Sequence, residues 1–146
     1  MTDRDKVRLQ GVHPALVARL TAAMADMTAA GAPMFVVQGV RTAEQQESDY
    51  LQGRDSRHPG AIVTYCDGTT HKGPHQTHSD GYGYAVDLAF IPTKEKPDPF
   101  DPAWPWEDFG DSLENHALIW GGRFHNGHMG DKDHAELATN TGALSV

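Results

Sequence analysis

The stretch from Pro74 to Leu88, PHQTHSDGYGYAVDL, decides how this chain is expected to fold, and it has a counterpart from Asp131 to Leu137, DKDHAEL. Bulky and small residues alternate between Tyr84 and Phe90, and this period of two predicts a half-buried β-strand. Asp87 lies on the small side, between two alanines, where a carboxylate has room for a ligand. A buried carboxylate is costly unless it is paired or bound to a metal, so Asp87 is a candidate metal ligand. The alternative is an edge strand that leaves Asp87 in water.

The two stretches together offer the ligands of a catalytic zinc site, namely His75, Asp87 and His134. Structural zinc sites are closed by four ligands, often cysteines, whereas catalytic sites keep three protein ligands and leave the fourth position to water. The chain has one cysteine, Cys66, so any zinc must be held by histidine and carboxylate groups. Spacing alone does not decide whether His75 or His78 is the first ligand.

Composition limits the class of protein. The chain has 146 residues and is 38% hydrophobic, enough for one domain with its own core. Its 12 basic and 20 acidic residues give a net charge of −8, which argues against nucleic-acid binding, because that binding depends on neutralising phosphates. No apolar run approaches the roughly 20 residues that cross a bilayer, so we expect no membrane insertion. The N-terminal MTDRDKVRLQ lacks the apolar centre of a signal peptide, so we expect the chain to be kept in a cytoplasm until something releases it.

Local patterns predict the remaining helices and strands. Pro14 suits the first position of a helix, and Thr42 with Gln45 forms a capping box. The chain is predicted to form one α+β domain over residues 1–146, in which a small antiparallel sheet carries the metal and helices pack around it. The core of this domain is expected at about 10–137, and the tail at 138–146 is expected to fray. The expected elements are a polar lead-in at 1–12, helices over 14–31, 42–53 and 105–116, strands over 34–38, 82–91, 118–120 and 134–137, a long loop over 54–73, a proline-rich excursion over 92–105 and a turn at 121–122.

These motifs resemble the zinc L-alanyl-D-glutamate peptidases of phage endolysins, relatives of the D-Ala-D-Ala carboxypeptidases and the vancomycin-resistance dipeptidases. The family pattern is Ser-x-His, a spacer, Gly-x-Ala-x-Asp, and later Asp-x-x-His. Members with a longer spacer carry a His-Gln start and an Asp-Gly-Tyr-Gly stretch, which favours His75 over His78. Two positions differ, because Gly73 replaces the family's serine and Ala135 stands where an aromatic residue is frequent. Matching segments in the same order are GPH at 73–75, DGYGYAVD at 80–87, DKDH at 131–134, GVHP at 11–14, GVRTAEQ at 39–45, QGR at 52–54, IVT at 62–64 and WGG at 120–122.

The resemblance implies a hedgehog/D-Ala-D-Ala peptidase-like fold in which His75, Asp87 and His134 bind Zn2+. It implies that Asp131 is the general base, taking a proton from the attacking water and returning it to the leaving amine. Arg41 would face the same cleft and stabilise the oxyanion or hold a substrate carboxylate. Glu136 shares a strand face with His134 and is a possible hydrogen-bond partner for that ligand.

The implied function is hydrolysis of the L-Ala–D-Glu bond in peptidoglycan stem peptides by a phage lysis enzyme. We expect a monomer that waits in the host cytoplasm until a holin opens the inner membrane, and that then acts on the cell wall in the periplasm. A D,D- or L,D-carboxypeptidase of peptidoglycan would share the site. A non-catalytic, zinc-containing wall-binding protein is the other alternative, although Asp131, which metal binding does not need, favours turnover.

Overall fold

The computed structural model describes residues 1–40, 75–127 and 130–138, with only the backbone at 125–127. Arg41, the helix predicted over 42–53, the loop over 54–73 and Gly73 lie outside the described residues, as does the tail beyond residue 138. The helices in chain order are α1 (Asp3–Arg8), α2 (Pro14–Ala29) and α3 (Trp106–Asn115), and the strands are β1 (Met34–Gln38), β2 (Ala85–Phe90), β3 (Ile119–Trp120) and β4 (His134–Glu136), with a 3-10 helix at Gly121–Gly127.

The four strands form one antiparallel sheet in the order β1-β2-β4-β3. This confirms the predicted fold class, a small antiparallel sheet with helices packed around it. β1 and β4 pair with the two edges of β2, so β2 is an interior strand, and all six of its residues are buried. The alternative of an edge strand that exposes Asp87 to water is therefore wrong.

The hydrophobic core lies between α2, α3 and one face of the sheet. Leu16 and Leu20 of α2, Leu88 of β2 and Phe109 of α3 are fully buried there. Removing such a side chain from water contributes roughly 1.5–3 kcal/mol. The opposite face of β2 carries Asp87, so the core fixes the strand that presents the polar site.

The prediction of a polar lead-in over residues 1–12 was wrong for Asp3–Arg8, which forms a helix. The side-chain oxygen of Thr2 accepts a hydrogen bond from the backbone N–H of Asp5, and the Asp5 carboxylate accepts one from the N–H of Thr2. Aspartate stands here where a capping box usually has glutamate or glutamine. The same carboxylate accepts a hydrogen bond from the N–H of Val36 at 2.8 Å, so β1 holds this short helix in place.

The turn predicted at Gly121-Gly122 was also incomplete, because these residues begin the 3-10 helix that runs to Gly127.

Within the described ranges of the chain, no helix has both the length and the apolar character needed to cross a membrane.

Candidate metal centre

The pairing of β2 with β4 brings the first two candidate ligands together. Asp87 and His134 are directly opposite each other in the antiparallel ladder. Residues in that relation project from the same face of a sheet with their Cβ atoms about 4.5–5.5 Å apart. The His134 ring and the Asp87 carboxylate therefore meet over the face that points away from the hydrophobic core.

His75 reaches the same place from the loop before β2. Its ring is buried, and Nδ1 lies 3.0 Å from the carbonyl oxygen of Gly39, just after β1. A carbonyl oxygen can only accept, so Nδ1 carries a proton, and in the neutral ring that a metal would bind, Nε2 presents a lone pair to the site. Gly39 is needed in this position, because a Cβ there would lie 2.2 Å from the carbonyl oxygen of Arg8.

His134 is oriented by the neighbour predicted for it. Its Nε2 lies 3.0 Å from Oε1 of Glu136, which points to the same side of β4. The contact fixes Nε2 as a donor, so Nδ1 carries the lone pair when the ring is neutral, as metal binding requires. Metal-ligating histidines usually donate their outer N–H to an acceptor of this kind, and here both histidines do so.

The three candidate ligand atoms lie within a few ångströms of one another. Nε2 of His75 is 3.2 Å from Nδ1 of His134 and 3.2 Å from Oδ1 of Asp87, and the last two atoms are 3.5 Å apart. These three residues could hold a metal ion. His78 is not part of the group: its ring stacks on Tyr84 at 4.3 Å, and its buried Nε2 has no hydrogen-bond partner among the described residues.

The electrostatics of the site favour an ionised Asp87 carboxylate paired with a positive charge. Burial raises the pKa of Asp87, but the hydrogen bonds from His134 and His75 outweigh it, so the pKa is held well below its usual range. Burial lowers the pKa of His134, whereas its hydrogen bonds to Asp87 and Glu136 raise it, with a net increase to about 10. Without a metal, a proton supplies the positive charge that the buried Asp87 requires.

Asp131 lies at the exposed edge of this group. One of its carboxylate oxygens is 3.9 Å from Nδ1 of His134, and its side chain is 52% exposed. An acid or base that exchanges protons with water and substrate needs both closeness to the reacting atoms and access to them. The structure therefore puts Asp131 where a general base could act.

Backbone hydrogen bonds fix the turn that carries Asp131 and its successors. The N–H of Asp131 donates to the carbonyl oxygen of Gly121 at 2.8 Å, and the indole N–H of Trp120 donates to that of Lys132 at 2.8 Å. The N–H of Leu88 in β2 donates to the carbonyl oxygen of Asp133 at 2.9 Å. The 131–133 turn is thus tied to β3 on one side and to β2 on the other.

The prediction from sequence missed Asp133. Carboxylate oxygens of Asp87, Asp131 and Asp133 lie within 4.8 Å of one another. Burial, a hydrogen bond with Asp131 and the negative charges of Asp87 and Asp131 raise the pKa of Asp133 to about 9. The signal was visible as the second aspartate of DKDH, which a tight turn brings back toward the first.

Four of the five predicted site residues, His75, Asp87, Asp131 and His134, therefore lie in one cluster. Their roles as ligands and general base stay predictions. Arg41 lies outside the described residues, and so does Gly73, the position at which the chain lacks the family's serine.

Several solved structures share this fold. The L-Ala D-Glu endopeptidase ChiX of Serratia marcescens aligns with a TM-score of 0.61 at 22% identity, over 94% of this chain and 89% of its own. The LD-carboxypeptidase LdcB aligns with a TM-score of 0.59 at 19% identity, over 88% of this chain and 66% of its own. The vancomycin-resistance D,D-dipeptidase VanXYg, solved with a D-Ala-D-Ala phosphinate analogue, has a TM-score of 0.56 at 16% identity, over 86% of this chain and 50% of its own.

At these identities the likeness establishes a common fold, and the activity has to be argued from the site. The chain spans about two thirds of LdcB and half of VanXYg. No model of a known protein family matches the sequence. No curated protein sequence matches it either.

Proposed function

We propose that this chain is a zinc metallopeptidase that hydrolyses a peptide bond in the stem peptides of peptidoglycan. The observation that carries the proposal is the cluster of His75, Asp87 and His134, with Asp131 beside it, on a fold shared with an L-Ala D-Glu endopeptidase, an LD-carboxypeptidase and a D,D-dipeptidase. A protein that only bound the wall would have no need of a carboxylate placed next to the ligands.

The donor set fits zinc in both chemistry and spacing. Two ligand atoms at 2.0–2.2 Å from one tetrahedral ion lie roughly 3.3–3.6 Å apart. The three ligand atoms lie 3.2, 3.2 and 3.5 Å apart, so a small shift would place all of them around one such ion. Two imidazoles and one carboxylate leave a fourth position open, as catalytic zinc sites do.

Each residue of the site has a definite part in the proposed reaction. Bound zinc would supply a Lewis acid for the scissile carbonyl and would make the attacking water more acidic. Asp131 takes the proton from that water and delivers it to the nitrogen of the leaving amine. Glu136 and the carbonyl of Gly39 hold the two imidazole rings in the required tautomers, so no reorientation is needed during turnover.

Our first candidate for the scissile bond is L-Ala–D-Glu, the bond named for ChiX, with which the chain aligns over most of both lengths. An L,D-carboxypeptidase is the second candidate, because LdcB shares the fold and such an enzyme could use the same ligands and the same base. The choice depends on how the stem peptide is held on either side of the metal.

Mass spectrometry of purified Gram-negative peptidoglycan after incubation with the protein tests this proposal. Release of stem peptides that begin at D-Glu, abolished by a chelator and restored by zinc, would establish the endopeptidase. Loss of terminal D-Ala alone would identify a carboxypeptidase. If the zinc-loaded protein produces no new fragment from any wall type, it is a non-catalytic wall-binding protein and the proposal fails.

We also propose a role in phage lysis, supported by the sequence resemblance. The protein would remain in the host cytoplasm until a holin opens the inner membrane and would then digest the wall from the periplasmic side. Expression in a Gram-negative host with and without a holin tests this role. Lysis only when the holin is present would support it, and lysis by the protein alone would contradict it.

A further inference from the structure

The outer edge of β1 is covered by side chains of α1. Within the sheet of described strands β1 lies at one end, so its edge facing away from β2 pairs with no other strand of that sheet. The N–H of Val36 donates to Oδ1 of Asp5 at 2.8 Å, and Nη1 of Arg8 donates to the carbonyl oxygen of Val36 at 2.7 Å. Both backbone groups that Val36 presents at this edge are therefore bound to α1.

The pairing of β1 with β2 becomes irregular just after Val36. Val36 is opposite Leu88 and Gln38 is opposite Asp87, so Val37 is an extra residue in β1. A bulge of this kind bends the strand and interrupts its ladder of hydrogen bonds. The course of the chain after Gln38 therefore depends on contacts other than the ladder with β2.

Gly39, which follows this irregular part of β1, lies against the last turn of α1. A Cβ at Gly39 would lie 2.2 Å from the carbonyl oxygen of Arg8 and 3.1 Å from Cγ2 of Val12, so the helix and the strand meet here backbone to backbone. The carbonyl oxygen of Gly39 accepts the Nδ1–H of His75 at 3.0 Å. α1 and the first candidate ligand therefore contact the same residue.

The segment that follows α1 contacts the loop that carries His75. The N–H of Gly83 donates to the carbonyl oxygen of Gly11 at 2.8 Å, and the N–H of His13 donates to that of Gly83 at 2.9 Å. A Cβ at Gly83 would lie 3.1 Å from the carbonyl oxygen of His75, so this pairing is close to the backbone of the ligand. The chain from α1 to His13 thus contacts both the acceptor of the His75 ring and the loop around it.

We propose that α1 positions the metal centre: Asp5 and Arg8 hold β1 so that the carbonyl of Gly39 keeps the His75 ring oriented for metal binding. The inference rests on the proposed function in taking zinc as the metal. Loss of an outer acceptor of a ligating histidine typically costs 10- to 100-fold in metal affinity. Because Asp5 and Arg8 act one contact further away, loss of either side chain should lower zinc affinity about tenfold and leave every ligand in place.

Zinc affinity, measured on folded variants by competition with a chromogenic chelator, tests this positioning role. Arg8→Met removes the hydrogen bond to Val36 and should weaken zinc binding about tenfold, whereas Arg8→Lys keeps a donor and should bind zinc nearly as tightly as the wild-type protein. Arg4→Met changes an exposed arginine of the same helix and should have no effect. Ser112→Ala removes a hydrogen bond to Asp26 that links α3 to α2, so it should lower stability and keep zinc affinity. Wild-type affinity in Arg8→Met, or an equal loss in Ser112→Ala, would overturn the role.

The His75 ring gives a second readout that needs no zinc. In chelator, the Nδ1–H of His75 should give a slowly exchanging NMR resonance in the wild-type protein, because it is buried and bonded to Gly39. It should exchange about tenfold faster in Arg8→Met and in Asp5→Ala, since opening the contact then costs less free energy, and at the wild-type rate in Arg4→Met. Unchanged exchange in both α1 variants would overturn the role. If the wild-type protein binds no zinc, the proposed function fails, and these rates still decide whether α1 positions His75.

Discussion

Nε2 of His75 lies 3.2 Å from Nδ1 of His134, while the outer nitrogen of each ring is committed to an acceptor. The acceptors are the carbonyl of Gly39 and the carboxylate of Glu136. When both rings are neutral, the two inner nitrogens present lone pairs that repel each other unless a proton or a metal ion lies between them. The fold therefore pre-organises a site for a cation. Any metal bound there would be coupled to folding, because unfolding separates strands that only the native sheet brings together.

Zinc should stabilise the folded protein. A ligand that binds only the native state at one hundred times its Kd adds about 2.7 kcal/mol, which corresponds to about 5–10 °C in Tm for a domain of this size. We expect thermal melts in zinc to lie above melts in chelator by that amount. His134→Ala, which removes one ligand, should show no zinc-dependent shift. Coincident melts of the wild-type protein in zinc and chelator would contradict a metal site.

Asp131→Asn should separate metal binding from turnover. The amide cannot accept the proton of the attacking water, so kcat should fall by about 10²- to 10⁴-fold with zinc content unchanged. His134→Ala should lose both zinc and activity. Zinc is measured by metal analysis of the purified variants, and Asp3→Asn, an exposed carboxylate in α1, is the matched control. Wild-type activity in Asp131→Asn would show that Asp131 is not the general base.

Glu136→Gln should weaken zinc binding by about 10- to 100-fold, because it replaces the charged acceptor that orients the His134 ring. Activity should recover at high zinc, since the ligands themselves are intact. Competition with a chromogenic chelator measures the affinity. Glu95→Gln changes an exposed carboxylate that forms no hydrogen bond or ion pair with the described residues, and it should bind zinc like the wild-type protein. Unchanged affinity in Glu136→Gln would mean that the contact has no effect on the metal.

Sequence predicted the strands of the site well, because alternation between Tyr84 and Phe90 reports directly which residues share a face. It could not choose between His75 and His78 by spacing, since the choice depends on the carbonyl of Gly39, a contact 36 residues away along the chain. Only the resemblance favoured His75. Helix α1 was missed for a similar reason, because its anchor, the bond between Asp5 and Val36, joins residues 31 positions apart.

Gly121→Ala should damage the site through the backbone. A Cβ at this position would lie 2.2 Å from the carbonyl oxygen of Asp131 and 2.7 Å from Cβ of His134. The turn that carries both residues must shift, so we expect a loss of about 1–3 kcal/mol in the free energy of unfolding, together with weaker zinc binding. Gly31→Ala is the control: its φ of +82° makes alanine strained, but open space surrounds it. It should lose stability and keep zinc affinity, and normal zinc binding in both variants would contradict the prediction.

Asp5 should make the fold sensitive to acid. Burial raises the pKa of this carboxyl, but the hydrogen bonds from the N–H groups of Val36 and Thr2 outweigh it, so the pKa is lowered. A group with a lowered pKa stabilises the folded state above its unfolded pKa of about 3.9, and this stability is lost as pH falls through the folded value.

Asp5→Asn removes one of the two acceptors and leaves a backbone N–H without a partner, at a cost of about 1–3 kcal/mol near pH 7. Urea unfolding in chelator, which removes any contribution from the metal site, should show this difference at pH 7 and a smaller one near pH 3. Asp3→Asn, an exposed carboxylate in the same helical turn, should change stability by less than about 1 kcal/mol at pH 7. An Asp5→Asn deficit that is constant from pH 7 to pH 3 would show that the ionised carboxylate is not what holds α1 on β1.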